Sequence, residues 1–172
     1  MTTIDPHKPA IAGDRGPARG GLLAPLARID ALLGAIPQWL PLLVLRFALA
    51  IPFYRSGLTK WDGFLQLSGG AEFLFAQEFK LHILGGQYPY PFPIFTAHAA
   101  GIAEIVLPVL LVFGLLTRFS ALGLLLMTAV IQITVPEGWA NFHLPWAAMA
   151  LALVAFGGGA ISLDRLIGLQ RR

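Results

Sequence analysis

Hydrophobic stretches long enough to cross a bilayer dominate the pattern of this chain. Residues 39–58 are almost continuously apolar, and residues 97–135 stay apolar with Glu104 and the Thr117-Arg118 pair as the chief interruptions. A membrane helix needs about 20 residues, so we divide the longer stretch at Thr117-Arg118 into two antiparallel helices. A further apolar stretch ends at three glycines. The pattern predicts four spans, at about 39–58, 97–116, 118–135 and 142–157.

The segment before the first span has helical periodicity but is too short to be a span. Its apolar residues recur on one helical face, opposite Arg28 and Asp30; they are Leu22, Leu26, Ile29, Leu33 and Ile36. Residues 22–38 are therefore predicted to form an amphipathic helix lying in the membrane interface. Residues 1–21, rich in Pro, Gly, Ala and charge, are predicted to be a disordered cytoplasmic tail.

The longest connection, residues 59–95, carries its own helical pattern. Ala71 to Leu84 is predicted to form an amphipathic helix that begins after Ser68 and ends at Gly85-Gly86. Asn141 is a predicted N-cap of the last span. The predicted fold class is an all-α, integral-membrane four-helix bundle. It includes a short amphipathic helix in the first extracytoplasmic loop and an N-terminal interfacial helix, and residues 39–168 form the membrane domain.

Composition agrees with a membrane protein and narrows its chemistry. Hydrophobic residues make up 56% of the chain and charged residues 12%, against about 45–50% and 25% in soluble domains. The chain has no cysteine, which excludes thiolate chemistry, cysteine-bound iron–sulfur clusters and covalently attached c-type haem. We expect no covalently bound cofactor. The net charge of +3 is not gathered in one patch, so no nucleic-acid partner is expected.

The distribution of basic residues predicts the orientation. With four spans both termini share a side, which carries eight Lys and Arg residues in its loops and tails against three on the other. The eight are Lys8, Arg15, Arg19, Arg28, Arg118, Arg165, Arg171 and Arg172, and the three are Arg55, Lys60 and Lys80. By the positive-inside rule both termini are cytoplasmic. The predicted location is the bacterial inner membrane, with the lipid bilayer as the first partner.

Ionisable residues inside a span are costly and usually face the protein interior with a partner. The pocket candidates are Arg46, Arg55, Glu104, Gln132 and His143. Pro108 removes the backbone N–H that would bond the carbonyl of residue 104, and Gly101 allows close approach of a neighbouring helix. One interpretation makes Glu104 a structural partner of Arg46 or Arg55 that holds the first two spans in register. The other makes the pair the wall of a site for a quinone head group or a proton.

Histidines invite a metal or haem interpretation that their spacing does not favour. His82, His98 and His143 all fall near the extracytoplasmic side, but no paired spacing such as HxxxH is present. Hydrogen bonding at the interface explains these residues more simply. No metal site and no catalytic residue is predicted.

Several segments together resemble the DoxX family of small four-helix membrane proteins. They are LRFALAIPFYRSGLTK with Arg46, Arg55, Gly57 and Lys60; AEFLFAQEFK; AEIVLPVLLVFGLLTR with Glu104, Pro108, Gly114 and Arg118; VIQ; His143 and Trp146; and SLDRLI. The resemblance covers about residues 40–168. It implies a four-helix bundle and redox-linked membrane roles, including the small membrane subunit of thiosulfate:quinone oxidoreductase and membrane partners of thiol-stress enzymes.

Two functional hypotheses from different classes follow. The first is a redox-associated membrane subunit whose outer-leaflet polar pocket binds a quinone or passes protons to it, beside a partner oxidoreductase subunit. The second is a non-enzymatic scaffold or transport-accessory protein that recruits a partner, in metal or oxidative stress. A homo-oligomer is compatible with either. The absence of cysteine argues against covalent handling of sulfur by this chain.

Overall fold

The computed structural model describes residues 23–169, which fall into two units. The first unit, which ends at Ile36, contains helix α1 (Ala24–Gly34), none of whose residues is buried. Pro25 lies in its first turn, where the missing backbone N–H costs nothing. That α1 lies in a membrane interface stays a prediction. The tail predicted at residues 1–21 lies outside the described residues.

The second unit, from Pro37 onward, is built around four long apolar helices, as predicted. Its α-helices are α2 (Trp39–Leu58), α3 (Gly69–Phe73), α4 (Pro93–Phe113), α5 (Thr117–Thr134), α6 (Leu144–Phe156) and α7 (Leu163–Leu166). Within residues 23–169, four helical segments are long and apolar enough to cross a membrane, namely α2, α4, α5 and the continuous stretch Pro136–Phe156. The chain is therefore a multi-pass membrane protein.

The four long helices form a ring. Helix α2 packs against α4 and α6, and α5 packs against the same two helices from the opposite side. Leucines without solvent exposure fill the centre, one from each long helix: Leu49, Leu111, Leu124 and Leu153. The outward faces of the helices are also apolar, as at the exposed Val44 and Leu126. The ring is therefore apolar both in its centre and on its outer surface, as expected of helices in a bilayer.

Local chemistry explains why α4 differs from its predicted bounds. Pro93 occupies the first turn of α4, where proline is tolerated, so the helix begins four residues before the predicted start at 97. Gly114 ends the helix in the left-handed conformation, at φ 68°, before the predicted end at 116. Leu116, also left-handed at φ 50°, completes a tight turn into α5.

The fourth span also begins earlier than predicted, and its start is irregular. A 3₁₀ turn (Pro136–Gly138) and a π-helical turn (Trp139–His143) precede α6. The prediction that Asn141 caps the last span is wrong, because Asn141 lies inside the π turn. Pro136 already starts the helical segment, so the chain is helical before Asn141 is reached.

The long connection contains strands that the sequence did not indicate. Strands β1 (Trp61–Gly63) and β2 (Gln66–Leu67) form one antiparallel hairpin, and β3 (Lys80–Ile83) and β4 (Gly86–Pro89) form another. The side chain of Ser68 caps α3 by accepting a bond from the N–H of Ala71 at 3.2 Å.

The predicted helix from Ala71 to Leu84 is therefore wrong in its second half. Helix α3 continues only as a π turn, Leu74–Glu78, and residues 80–83 are extended. Leu84 and Gly85 both have positive φ, the geometry of a type I′ hairpin turn. Gly85 thus forms a hairpin turn where the sequence suggested a helix end.

We call the end of the bundle formed by residues 59–92 and 135–143 the loop end, and the end formed by 114–116 and 157–169 the terminal end.

Candidate functional site

Arg46 lies at the terminal end and binds backbone carbonyls. Its side chain is 2% exposed, and its Nε donates to the carbonyl of Leu111 at 2.8 Å while Nη2 donates to that of Val112. Nη1 donates to the carbonyls of Gly158 at 3.2 Å and Ile161 at 2.5 Å. The last carbonyls of α4 have no partner within the helix, so the guanidinium satisfies them and joins α4 to the segment after α6.

Asp164 gives the terminal end a second link. Its carboxylate accepts hydrogen bonds from the N–H groups of Leu116 at 2.6 Å and Thr117 at 2.8 Å, at the start of α5. Its own N–H donates to the carbonyl of Gly114 at 2.9 Å. A carboxylate at a helix N-terminus is stabilised by the helix dipole. The SLDRLI segment, which contains Asp164, therefore stabilises the turn between α4 and α5.

Glu104 forms an ion pair with Lys60, so its predicted pairing with Arg46 or Arg55 is wrong. Lys60 Nζ lies 2.6 Å from Glu104 Oε2, and the two side chains are only 13% and 6% exposed. Lys60 Nζ also donates to Ser56 Oγ at 3.2 Å. Lys60 follows the end of α2 by two residues, and a long lysine side chain can lie back along the helix to bring its charge to a partner.

Helix packing explains why neither arginine reaches Glu104. A Cβ placed on Gly57 would lie 2.9 Å from Glu104 Cβ, so α2 and α4 are tightly packed at that level. Arg46 is eleven residues before Gly57, which is about 16 Å along the helix axis towards the terminal end. Arg55 lies on the opposite side of α2 from Arg46 and is exposed.

Gly101 has a different neighbour from the one predicted. A Cβ at this position would lie 2.6 Å from Cζ2 of Trp61, so the tryptophan of β1 covers Gly101. The ring of Trp61 also meets His98 edge to face at 5.8 Å. The close helix contact predicted at Gly101 is provided by Gly57 instead.

Gln132 and His143 form a separate polar pair at the loop end. His143 Nδ1 lies 2.6 Å from Gln132 Oε1, and Gln132 Nε2 donates to the carbonyl of Pro136 at 3.3 Å. With Oε1 facing the ring, Nδ1 is the donor, so the Nε2 of a neutral His143 carries the lone pair. His143 is buried and contacts the ring of Trp146 at 5.6 Å. The pair anchors the irregular start of the last span to α5.

The other histidines have their own partners. His82 Nδ1 lies 3.2 Å from the carbonyl of Ile133, and His98 Nδ1 lies 2.9 Å from that of Ile94. Within residues 23–169, no group of three or more acidic or histidine side chains is arranged to hold a metal ion. These contacts are of the interfacial hydrogen-bonding kind.

A cavity of about 470 Å³ opens at the loop end. Its walls come from α2, α4, α5, Trp146 of α6 and the connection above them, which contributes Phe75, Phe79 and Tyr90. The lining is mostly apolar, and Lys60 and Glu104 are its charged members. Of the five predicted pocket residues only Glu104 lies in the lining. Arg46 lies at the terminal end, Arg55 is exposed, and Gln132 and His143 bond to each other outside the lining, with His143 against Trp146.

The connection is held over the cavity by a polar contact. Tyr90 Oη lies 2.5 Å from Thr134 Oγ1, which itself donates to the carbonyl of Val130 at 2.8 Å. Thr134 Oγ1 therefore donates to Val130 and accepts from Tyr90. Phe75 meets Tyr90 and Phe79 edge to face, at 5.5 and 5.3 Å, so an aromatic cluster closes this end of the cavity.

The sequence interpretation missed Lys60 and the residues of the connection. From the sequence, Lys60 is a loop charge and part of the family resemblance, but it is not predicted to be a partner of Glu104. Its position just beyond a span that contains no acidic residue made it available for that role. Tyr90 and Phe75 had no such signal, because their contacts depend on hairpins that local periodicity did not indicate.

Comparison with known proteins gives a family match. The DoxX family model matches residues 41–137. A protein of Haemophilus influenzae described as "Uncharacterized protein" is 35% identical over 150 residues, which cover 80% of this chain and 90% of that protein. No solved structure gives a significant match.

Proposed function

The chain is a member of the DoxX family of membrane proteins, and on that premise we propose that it is a redox-associated membrane subunit that binds a quinone in the loop-end cavity. The observation that carries this proposal is an apolar cavity with one ion pair, Lys60 and Glu104, in its wall. Small-molecule sites are concave and mostly apolar, about 300–1,000 Å³ in volume, with a few polar groups that fix orientation.

The ion pair leaves hydrogen-bonding capacity for a ligand. A lysine ammonium has three donors, of which one faces Glu104 Oε2 and one faces Ser56 Oγ. The third is available to a carbonyl oxygen in the cavity. Glu104 can accept further bonds through its second oxygen, so it can receive a hydroxyl of a reduced head group. A ring with two oxygens and an apolar body matches this combination.

The residues of this chain have distinct roles in the proposal. A bound quinone would supply two-electron, two-proton redox chemistry, with the electrons delivered by a partner oxidoreductase subunit. Lys60 holds a ring oxygen and favours negative charge on it by electrostatics. The Glu104 carboxylate would accept a hydrogen bond from a hydroxyl of the reduced head group and could take up the proton of that hydroxyl and return it. Trp146 and the aromatic cluster of Phe75, Phe79 and Tyr90 exclude water from the ring.

Binding of a tailless ubiquinone head group to the purified full-length protein tests this proposal. Quinones quench nearby tryptophan, so the fluorescence of Trp146 in the cavity wall reports binding. We expect Lys60→Met to weaken binding by at least about tenfold, the lower end of the effect of losing one hydrogen bond from a charged donor. Glu104→Gln should weaken it less, because the amide still accepts a hydrogen bond.

Arg55→Gln is the matched control, since it removes an exposed charge near the end of α2 that does not line the cavity. If the single variants fold poorly, the exchanged pair Lys60→Glu with Glu104→Lys retains the ion pair and serves in their place. Wild-type affinity in both Lys60→Met and Glu104→Gln, or no binding by the wild type, would exclude this site.

Exposed apolar hairpin tips favour a second function, a scaffold that recruits a partner. Phe64 is 96% exposed and Leu84 is fully exposed, at the tips of the two hairpins. A partner protein that co-purifies equally with the wild type and with Lys60→Met, while no quinone binds, would favour the scaffold function.

We also propose that the protein resides in the bacterial inner membrane with both termini in the cytoplasm, which places the cavity towards the outer leaflet. The excess of Lys and Arg in the segments that share a side with the termini supports this orientation.

A further inference from the structure

The loop-end cavity has a mouth that faces lipid. The exposed apolar residues of its lining are Ala99 of α4, Leu126 and Val130 of α5, and Val135, which follows α5. Leu126 is 62% exposed and Val130 44%, so each contributes to the cavity wall and to the outer surface of the bundle. The cavity therefore opens sideways between α4 and α5.

Residue size along α4 creates this opening. Towards the terminal end, Leu107 covers Gly123 of α5, whose added Cβ would lie 2.8 Å from Leu107 Cδ1, and the two helices are in close contact. Towards the loop end, α4 presents Ala99, Ala100 and Ala103 to the cavity. Alanine side chains end at Cβ, so the space between the helices is not filled there. The opening reaches Ala103, about 15 Å along α4 from Pro93.

The opening lies within a membrane-spanning segment, where the solvent is hydrocarbon. The alanines and the facing Leu126 and Val130 offer no polar group to a ligand. The charged groups of the cavity, Lys60 and Glu104, are only 13% and 6% exposed and lie further inside. A molecule that satisfies both regions has a polar head and an aliphatic chain.

We propose that the ligand of the cavity carries a long aliphatic tail that passes between α4 and α5 into the bilayer, so that the chain binds lipid-borne, prenylated quinones and loads them sideways from the membrane. This inference rests on the proposed function. The tail gains little free energy by leaving lipid for an apolar groove. The tail must nevertheless pass through the opening. If it cannot leave the cavity, it occupies the space that the head group needs to reach Lys60.

Filling the opening tests the tail separately from the head. Ala103→Phe places a large side chain in the opening, and Ile102→Phe is the matched control, since Ile102 is the adjacent exposed residue that does not line the cavity. Phenylalanine is used because it does not add to the tryptophan fluorescence that reports binding. Affinities of the full-length protein for decyl-ubiquinone and for the tailless head group are measured with each variant. Ala99→Phe replaces Ala103→Phe if the latter does not fold.

We expect Ala103→Phe to weaken decyl-ubiquinone by at least about fivefold, the lower end of the cost of forcing a large group into occupied space. The tailless head group should be weakened much less than decyl-ubiquinone, because it has no tail to pass through the opening, and Ile102→Phe should change neither ligand. Equal loss for both ligands, or no loss for decyl-ubiquinone, overturns the lateral passage while the quinone site stands. Failure of the wild type to bind either ligand removes the proposed function itself.

Lipid extraction distinguishes the quinone tail from a phospholipid chain. Organic extracts of the wild type and of Ala103→Phe, purified from the same membranes, are compared by mass spectrometry. Loss of co-purifying quinone at constant phospholipid content supports the proposal. Loss of phospholipid with quinone unchanged identifies an acyl chain as the occupant and contradicts it.

Discussion

Single buried charges have two different roles in this bundle. Arg46 is surrounded by the backbone carbonyls at the ends of α4 and after α6, and the negative charge of Asp164 acts on it through space. Lys60 and Glu104 instead face a cavity. Arg46 uses four of its five N–H groups in bonds to the protein, so its role is structural. Lys60 and Glu104 keep free donors and acceptors, which is what a binding site needs.

Replacing Arg46 by leucine should destabilise the fold strongly. The change leaves the carbonyls of Val112, Gly158 and Ile161 without their donor and removes one of the two donors to Leu111. The loss of one side of a buried charged network costs about 3–5 kcal/mol. The free energy of unfolding is measured by circular dichroism in mixed micelles. The exposed Arg55→Leu should change it by no more than about 0.5 kcal/mol. Similar losses for the two variants would contradict a special role for Arg46.

At the scale of elements, glycines set where the helices touch. Gly57 allows α2 to approach α4 at Glu104, and Gly123 allows α5 to approach α4 at Leu107. The contact at Gly57 holds the ion pair at the cavity wall. The contact at Gly123 brings α4 and α5 together on the terminal-end side of the opening, so the opening ends there. Small residues at such positions let membrane helices pack closely where no hydrophobic driving force acts between them.

Gly57→Ala should therefore lower stability by about 1–3 kcal/mol, the usual cost of forcing an extra carbon into a filled contact. The added methyl would meet Glu104 Cβ and Ile105 Cδ1, each at 2.9 Å. Unfolding in mixed micelles measures the effect. Gly70→Ala in α3 is the matched control, because nothing lies within 4 Å of its added carbon. A loss for Gly70→Ala as large as that for Gly57→Ala would show that backbone freedom, not packing, is responsible.

The connection shows where the sequence could and could not predict elements. Ser68 predicted the helix start correctly, since an N-cap is a contact between near neighbours. The extended segment Lys80–Ile83 has no such local signature, because its stability comes from pairing with β4 and from contacts with α5. Over so few residues, helical and extended periodicities are easily confused.

At the scale of the whole molecule, orientation decides which compartment the cavity serves. A fusion of green fluorescent protein to the C-terminus should fluoresce, and a fusion of alkaline phosphatase there should be inactive, because the first folds in the cytoplasm and the second needs an oxidising compartment for its disulfides. Alkaline phosphatase inserted between β3 and β4, after Leu84, should be active. The reverse pattern would place the cavity towards the cytoplasm.

The sequence by itself determined the four spans, the family resemblance and the set of polar residues inside the membrane. These follow from apolar length against bilayer thickness and from the cost of a charge in hydrocarbon, and both are properties of local composition. It also predicted a basic partner for Glu104, but it named Arg46 or Arg55, and neither is the partner.

The tertiary structure decided the partners. Lys60 meets Glu104 only because α2 and α4 are antiparallel and touch at Gly57. Arg46 lies on the same face of α2 as Gly57 but about three turns further along the helix. The cavity and its opening exist because alanines of α4 face α5 at one end and Leu107 covers Gly123 at the other. Such contacts join residues far apart in the chain, and their register depends on the packing of entire helices.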